Sequence, residues 1–336
     1  MMRLGLMKAF FDTVDTNWRS PLADQIGARW LGPEARIRLW RASANFVCMV
    51  DPPAPRYYLR FNHESERGPG EIAAELTFIE HLARQGIRTA RPQPSRAGRL
   101  VESVVTEQGV FHGVLFEALP GAELAFEKLD LAGFERWGRA LGELHRAAQG
   151  CPMEILKDRP GWQERLALAR REIPAAESLA WRELDTVERA LRRLPQDADT
   201  YGMIHYDFEQ DNLIWDGSAP GVLDFDDCGP YWYAADVAYA LRDLFADSSA
   251  RIDLQDARLR AFVSGYRTAR PLAEEALGDL PLFLRLHNLA AFARISRSIA
   301  GEPLAEEPTW LSGLRGKLAG ILEGYREDFA QHPYLP

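Results

Sequence analysis

Seven carboxylates lie between His205 and Asp227, within the segment HYDFEQDNLIWDGSAPGVLDFDD. Short apolar runs, at 213–215 and 222–223, alternate with these acids. Apolar runs favour burial, whereas a carboxylate resists burial unless a partner compensates its charge. The segment therefore indicates a site that holds a compensating partner for several acids.

The centre of this segment predicts a β-hairpin, because residues 217–221 (GSAPG) are typical of a tight turn. In a simple antiparallel register centred on Ser218, Asn212 and Asp224 lie opposite one another, with their side chains close on one face. Asp207 lies just upstream, where the chain enters the hairpin. The register therefore predicts that two carboxylates and an amide converge.

Converging carboxylates repel one another and are poorly solvated, and a divalent cation removes both costs. A site with oxygen ligands only, few of them from the protein, suits Mg²⁺, which keeps several waters and shares phosphate oxygens. The segment has no pair of His or Cys residues at zinc spacing. We therefore expect a Mg²⁺ site where Asp207, Asn212 and Asp224 converge.

The first third of the chain predicts strands and one helix. Two β-like runs lie within 36–50, and 57–61 is a further strand. Apolar residues recur at helical spacing over 71–85, and two more strands are predicted at 100–105 and 110–117. This part of the chain therefore predicts a small lobe rich in β-structure.

The pattern becomes helical after Pro120-Gly121, which breaks the run of strands. An apolar stripe over 131–148 predicts one helix, and most of 233–325 predicts further helices. The fold class is therefore α+β, with an antiparallel sheet in a small N-terminal lobe and a larger, mainly helical C-terminal lobe.

The order of polar groups carries a resemblance to a known family. His205-x-Asp207 is followed after four residues by Asn212, and then by Asp224-Phe225-Asp226. This order resembles the catalytic and metal-binding segments of protein-kinase-like phosphotransferases. Among these enzymes, the sequence IHYDFEQDNLIWD…VLDFDD…YAADVAYALRDL most resembles the aminoglycoside phosphotransferase and choline kinase branch. Within that branch, it is similar to the stress-response kinase and homoserine-kinase-like members.

The resemblance covers most of residues 36–330 and implies a two-lobed protein-kinase-like fold that uses ATP and Mg²⁺. We expect a helical extension at 1–35 and a nucleotide-binding N-lobe at 36–120. The C-lobe, at 121–336, is expected to carry catalysis and acceptor binding.

The resemblance also implies a role for each polar residue. Asp207 would orient the acceptor hydroxyl or accept its proton, while Asn212 and Asp224 would hold Mg²⁺ on the ATP phosphates. Asp236, in the first turn of the next helix, would anchor the catalytic loop. A lone histidine beside a site is most often structural, so we expect His205 to shape the loop rather than to transfer protons.

The N-lobe needs a cation for the phosphates. Arg60, in YYLRF, occupies the strand position where kinases have a lysine. Glu75 flanks the apolar stripe of the following helix and is the expected partner of Arg60. Ser43, in the glycine-free RASAN loop, is the candidate phosphate-loop residue, and the backbone groups of Glu117 and Leu119 are candidates for contact with adenine.

Net charge, cysteine content and hydropathy argue against several classes of binding partner and cellular location. The net charge of −9 argues against a broad nucleic-acid surface and against binding to an anionic membrane. Three distant cysteines indicate reduced thiols in a cytoplasmic protein. No apolar stretch approaches the roughly 20 residues that span a bilayer, and the N-terminus does not resemble a signal peptide.

The predicted function is ATP-dependent transfer of a phosphoryl group to a hydroxyl. A nucleotide-binding module without activity is an alternative, but the complete set of Asp207, Asn212 and Asp224 favours an enzyme. A glycosidase with paired carboxylates would not explain Asn212. A protein Ser/Thr kinase of the stress-response type also stays open.

Four acids near the predicted site bear on the acceptor: Glu209, Asp211, Asp226 and Asp227. If some of them face the acceptor, the site is negative and favours a cationic molecule. We therefore expect Glu209 and Asp226 to bind a small amine-bearing alcohol, or else a basic peptide. The sequence leaves the acceptor, the choice of ATP or GTP and the oligomeric state open.

Overall fold

The computed structural model describes residues 1–34, 36–51, 56–152, 157–217, 219–245, 252–301 and 307–331. Internal contacts divide the chain into two units. The first unit comprises Met1–Leu76, Ala90–Ala118 and Arg294–Gly320, and the second comprises Thr77–Thr89, Leu119–Ala293 and Ile321–Pro336. Because both units are discontinuous in sequence, the lobe boundaries given above remain predictions.

The first unit is built on an antiparallel sheet in the strand order β1-β2-β3-β6-β4, with β5 paired to β6. The two helices before the sheet are α1 (Leu4–Phe11) and α2 (Pro21–Leu31), and helix α3 (Pro69–Arg84) begins in this unit after the third strand and ends in the second unit. The strands are β1 (Ile37–Ala42), β2 (Phe46–Val50), β3 (Tyr57–His63), β4 (Pro92–Gln93), β5 (Glu102–Thr106) and β6 (Gly109–Glu117).

One face of the sheet forms the core of this unit. Phe46, Cys48 and Val50 alternate along β2 and are buried, as expected for a strand with one face on a core. The ring of Phe10, on α1, lies 4.3 Å from Phe46, and the ring of Phe61, on β3, lies 5.2 Å from it. Helix α1 therefore covers the apolar face, and residues that alternate with these occupy the other face.

The second unit is mainly helical. Its helices and strands, in chain order, are α4 (Leu131–Ala148), α5 (Trp162–Glu172), α6 (Ser178–Leu191), β7 (Tyr201–Ile204), β8 (Leu213–Asp216), β9 (Ala219–Val222), β10 (Gly229–Trp232), α7 (Tyr233–Ala240) and α8 (Ala257–Ala269). Helix α9 (Leu280–Ile299) begins in it, and α10 (Thr309–Gln331) ends in it. The predicted α+β architecture, with its antiparallel sheet and helical C-terminal part, is confirmed.

Helices α4 and α8 cross with their backbones in contact. A Cβ added at Gly138 would lie 1.9 Å from the carbonyl oxygen of Phe262, and one at Gly265 would lie 1.8 Å from that of Glu135. Side chains other than hydrogen are therefore excluded from these two positions. The crossing fixes α4, which carries a buried histidine of the candidate site.

Two further findings concern membrane-spanning helices and disulfide bonds. In the parts of the chain that the structure describes, no helix is both long and apolar enough to cross a membrane. Cys48, Cys151 and Cys228 are buried and not joined by disulfides.

Candidate active site

The hairpin forms with a register one residue away from the predicted one. Leu213 pairs with Val222 at its open end, and the amide of Leu223 donates a hydrogen bond of 2.9 Å to the carbonyl of Asn212. Asn212 therefore lies opposite Leu223, and the prediction that it lies opposite Asp224 is wrong.

The turn explains the difference. Asp216 pairs with Ala219 at the closed end of the hairpin, and Ser218 lies outside the described residues. Gly217 has a φ of 77°, a left-handed conformation that glycine adopts without steric cost. The described strand pairs are therefore centred between positions 217 and 218 rather than on position 218, and a shift of one residue reverses the face of every side chain.

Asp224 lies beyond the paired strands and has a φ of 54°. Residues other than glycine rarely adopt this conformation, and it persists where the surroundings fix it. The direction of the exposed Asp224 side chain is therefore set by this local conformation and not by strand alternation.

The predicted catalytic loop, residues 205–212, is anchored by a buried carboxylate. Asp236, in the first turn of α7, accepts hydrogen bonds of 2.8 Å from the backbone amides of His205 and Tyr206. His145, on α4, lies 2.9 Å from the same carboxylate. Asp236 is fully buried, and these three donors compensate its charge. The structure therefore places Asp236 and His205 in contact at the loop.

His145 is a participant that the sequence reasoning missed. Its Nδ1 lies 2.8 Å from the hydroxyl of Tyr266, and its Nε2 faces Asp236. Burial lowers the pKa of His145 although Asp236 acts in the opposite direction, so the ring is neutral and donates from Nε2. Its signal in the sequence is a polar residue in the apolar stripe of α4, four residues after Leu141.

His205 connects the catalytic loop to the segment that leads to Asp224. Its Nδ1 accepts a hydrogen bond of 3.2 Å from the amide of Asp207, so the proton is on Nε2. Nε2 donates to the carbonyl of Leu223 over 2.8 Å. Between His205 and Asp207, Tyr206 has a φ of 75°, which is rare for a bulky residue. The loop therefore holds a strained backbone beside its key carboxylate.

Asp207 has a partner on each carboxylate oxygen. Nδ2 of Asn212 donates to Oδ2 over 2.9 Å and to the carbonyl of Asp207 over 2.8 Å. Oδ1 accepts a hydrogen bond of 3.0 Å from Arg242. The Asp207 side chain is 35% exposed, so the carboxylate is oriented and still accessible to an acceptor.

The contacts of Asn212 bear on metal binding. Because its amide nitrogen faces two acceptors of Asp207, its amide oxygen is available as an oxygen ligand. Over the described ranges, no group of three or more His, Cys, Asp and Glu side chains could hold a metal ion. The oxygen donors of Asn212 and Asp224 fit Mg²⁺, which takes most of its ligands from water and phosphate.

Arg242, just after α7, is a second residue that the sequence reasoning missed. It forms ion pairs with Asp207 and Glu209, and its Nη1 donates to the carbonyl of Tyr239 over 3.2 Å. One guanidinium therefore serves two acids of the catalytic loop, and Glu209 is not a bare negative charge. Its position 35 residues after Asp207 gives no signal for this contact in the sequence.

The other acids of the segment have different surroundings. Asp227 forms an ion pair of 2.9 Å with Arg165. Asp226 is buried, and Asp211 is exposed. The negative charge expected from these four acids is thus partly neutralised by arginines.

The structure also brings Arg60 and Glu75 together. Nη2 of Arg60 lies 2.8 Å from Oε2 of Glu75, and both side chains are buried. The guanidinium of Arg60 stacks on the ring of Phe116 at 5.0 Å. A planar cation with one paired edge and one stacked face has a fixed orientation.

Hydrogen bonds within the protein shape the RASAN loop. The amide of Ser43 donates to the carbonyl of Asn45 over 3.0 Å, and its carbonyl accepts from the amide of Met2 over 2.9 Å. Oδ1 of Asn45 accepts a hydrogen bond of 2.5 Å from Asn62. The amide of Ser43 is therefore already used, and side-chain amides give this loop the shape that glycines often provide.

Glu117 and Leu119, the residues predicted to contact adenine, belong to different units. The amide of Glu117, at the end of β6, donates to the carbonyl of Arg91 over 3.0 Å. Leu119, in the second unit, packs against Gly221, where an added Cβ would lie 2.5 Å from Cδ1 of Leu119. Their contact with adenine remains a prediction.

Comparisons with known proteins identify the family of the chain. A model of the phosphotransferase enzyme family matches residues 36–272. Amicoumacin kinase of Bacillus subtilis (strain 168) is 27% identical over 304 residues, which cover 87% of this chain and 89% of that protein.

Solved structures show the same fold. A microcompartment-associated aminopropanol kinase has a TM-score of 0.70 at 26% identity, with 92% of this chain and 96% of that chain covered. Amicoumacin kinase hAmiN, in complex with AMP-PNP, Ca²⁺ and Ami, has a TM-score of 0.71 at 21% identity, with 98% and 95% covered. The chain belongs to the phosphotransferase enzyme family and is an ATP-dependent phosphotransferase with a hydroxyl group as acceptor.

Proposed function

We propose that the acceptor is a small amine-bearing alcohol, and that Mg²⁺ on the ATP phosphates is held by Asn212 and Asp224. The observation that carries the proposal is the arrangement around Asp207, a half-buried carboxylate oriented from both sides and adjacent to a second acid, Glu209. Asp207 can accept a hydrogen bond from the acceptor hydroxyl while Glu209 binds the amine.

Asp207 acts on the acceptor hydroxyl. It orients the oxygen for in-line attack and accepts its proton as the new oxygen–phosphorus bond forms and the bond from the γ-phosphorus to the β-phosphate oxygen breaks, which releases ADP. Asn212 and Arg242 fix the carboxylate plane, and Asp236 fixes the loop that carries it. Most of the rate enhancement then comes from positioning, because the transferred phosphoryl group needs little covalent assistance.

The phosphates are bound by charge. When bound, Mg²⁺ supplies positive charge that neutralises the β- and γ-phosphate oxygens. Arg60 binds the phosphates from the N-lobe, and Glu75 with Phe116 holds its guanidinium. The strained conformation of Asp224 supports its role as a ligand, since backbone strain is often found at functional sites.

The amine is bound by Glu209 and Asp226. Glu209 is held close to Asp207 through their common partner Arg242, so an ammonium group can exchange with the guanidinium at Glu209. The similarity to an aminopropanol kinase supports an acceptor that carries both an amine and a hydroxyl. A compact ammonium group next to two carboxylates is attracted by both negative charges.

The proposal is tested by acceptor-dependent release of ADP. Amine-bearing alcohols are compared with neutral alcohols of the same shape and with basic peptides, and Asp207→Asn serves as the inactive control. We expect kcat/KM for the best amine-bearing alcohol to exceed that of its neutral counterpart by at least about tenfold, since a paired charge is worth more than a neutral contact. Turnover of neutral or anionic acceptors alone, or of peptides alone, would contradict the proposed acceptor.

A further inference from the structure

Three successive carbonyls after Asp224-Phe225 are bound by two buried arginines. Arg159 donates from Nη2 to the carbonyl of Asp226 over 2.5 Å and from Nε to that of Cys228 over 2.8 Å. Arg165 donates from Nη2 to the carbonyl of Asp227 over 2.9 Å. We refer to Arg159 and Arg165 together as the arginine clamp.

Arg165 also contacts the catalytic loop. Its Nε donates to the hydroxyl of Tyr231 over 3.0 Å, and its Nη2 lies 2.9 Å from Oδ1 of Asp227. Its guanidinium lies 4.4 Å from the centre of the ring of Tyr206, the strained residue next to Asp207. One side chain therefore touches both the catalytic loop and the segment that follows Asp224.

Burial of two guanidinium groups is costly unless their donors are used. Burial tends to lower the pKa of Arg165, but the charge of Asp227 outweighs this and raises the pKa well above its ordinary value. Apolar side chains could fill the same space without that cost. What the arginines add is several directed hydrogen bonds to the backbone, which fix its position.

The segment that carries Asp224 is held from both ends. Upstream, His205 donates to the carbonyl of Leu223 over 2.8 Å. Downstream, the arginine clamp holds residues 226–228. Asp224 and Phe225 are the two residues between these fixed points. The left-handed φ of 54° at Asp224 is uncommon for a residue other than glycine, and fixed points on both sides help to maintain it.

We propose that Arg159 and Arg165 are positioning residues for Asp224, and that they hold its carboxylate where it can bind a divalent cation. The inference rests on the proposed metal role of Asp224. Residues that orient metal ligands without touching the metal commonly change affinity by about 10- to 100-fold when they are replaced.

The first test uses hydrogen exchange in the metal-free full-length chain. Arg165→Met removes the donors of Arg165 and keeps much of its apolar volume. We expect faster exchange of amides in a peptide covering 223–229, where the amide of Cys228 donates to the carbonyl of Phe225. A peptide from β3 should be unchanged. Arg170→Met, at a partly exposed position on the same helix, is the matched control.

The second test measures AMP-PNP affinity with and without Mg²⁺. Arg165→Met should weaken binding with Mg²⁺ by about tenfold and leave binding without Mg²⁺ unchanged, while Arg165→Lys should restore part of the loss. Tyr231→Phe removes only the hydroxyl that accepts from Nε, and we expect a loss of about threefold. This milder variant keeps the inference testable if Arg165→Met does not fold.

The outcomes separate the two proposals. Wild-type protein whose AMP-PNP affinity does not respond to Mg²⁺ would overturn the proposed metal site, and the role of the arginine clamp with it. A metal response in wild type that is the same in folded Arg165→Met or Tyr231→Phe, together with unchanged exchange at 223–229, would overturn the arginine clamp alone.

Discussion

Oδ1 of Asp207 accepts a hydrogen bond of 3.0 Å from Nη2 of Arg242. A cation thus contacts the carboxylate that is to serve the acceptor hydroxyl. The same arginine pairs with Glu209, so any acceptor ammonium competes with it. Arg242 therefore both orients the catalytic carboxylate and weakens the attraction of the site for cations.

These two effects predict that replacing Arg242 strengthens acceptor binding but slows turnover. In Arg242→Gln, KM for an amine-bearing acceptor should fall about threefold, because Glu209 loses its cationic partner. At the same time kcat should fall about tenfold, because Asp207 loses one of its orienting contacts. Steady-state kinetics measures both, with Arg258→Gln at an exposed position as the control. An increase in acceptor KM would mean that Arg242 itself binds the acceptor.

Asp207→Asn should keep the fold and the affinity for AMP-PNP but lower kcat by roughly three orders of magnitude, because the acceptor hydroxyl loses its proton acceptor. The comparison variant is Asp211→Asn, which changes an exposed acid on the same loop. Turnover near the wild-type rate in Asp207→Asn would remove Asp207 from the catalytic assignment.

Asp224→Ala should weaken AMP-PNP binding in the presence of Mg²⁺ by at least about tenfold, because the cation loses its carboxylate ligand. Binding without Mg²⁺ should change little, and titration under both conditions measures the difference. Asp216→Ala alters an exposed acid of the same hairpin and should have no effect. Equal losses with and without Mg²⁺ would indicate that Asp224 is structural.

Replacement of Arg60 should affect both stability and nucleotide binding. Arg60→Met removes the 2.8 Å partner of the buried Glu75 and leaves Arg67 at 3.9 Å from it, which costs about 3 kcal/mol of the free energy of unfolding. Arg60→Lys should be milder in both respects, because a point charge still reaches phosphate although the planar fork is lost. Thermal melts and ATP titration separate the two effects. Unchanged ATP affinity in a folded Met variant would assign the phosphates to another cation.

The crossing of α4 and α8 makes a prediction about stability alone. Gly138→Ala should lower the free energy of unfolding by about 2 kcal/mol or more, because the new methyl group meets the Phe262 carbonyl. Gly324→Ala, on α10 with open space around it, should instead stabilise the protein by about 0.5 to 1 kcal/mol. Chemical denaturation measures both, and equal effects would contradict the tight crossing.

Local patterns in the sequence predicted most elements and several site residues. Helix α4 has the predicted bounds, and the apolar stripe of α3 was sufficient to choose Glu75 as the partner of Arg60. These predictions succeeded because apolar periodicity and position relative to a stripe are local properties. The hairpin register failed because it depends on which two residues form the turn, and GSAPG offers more than one choice.

The arginines of the site were not predictable from spacing. Arg165 and Asp227 are 62 residues apart, and Arg242 and Asp207 are 35 apart. The chain has 40 basic residues, so composition does not distinguish these from the others. Their partners follow from how α5 and α7 pack, and packing is a tertiary property. His145 differs from these arginines. It was also missed, but a polar residue within the apolar stripe of α4 was visible in the sequence.

If the RASAN loop binds phosphate as predicted, the amide pair of Asn45 and Asn62 affects the speed of nucleotide capture. Because the RASAN loop is held by its own hydrogen bonds, it loses little conformational freedom when phosphates arrive. Binding then needs no slow ordering step, and the nucleotide meets a loop that already has its final shape. This glycine-free loop, held by its own hydrogen bonds, is less able to change shape than a flexible loop, but it needs no ordering before it binds.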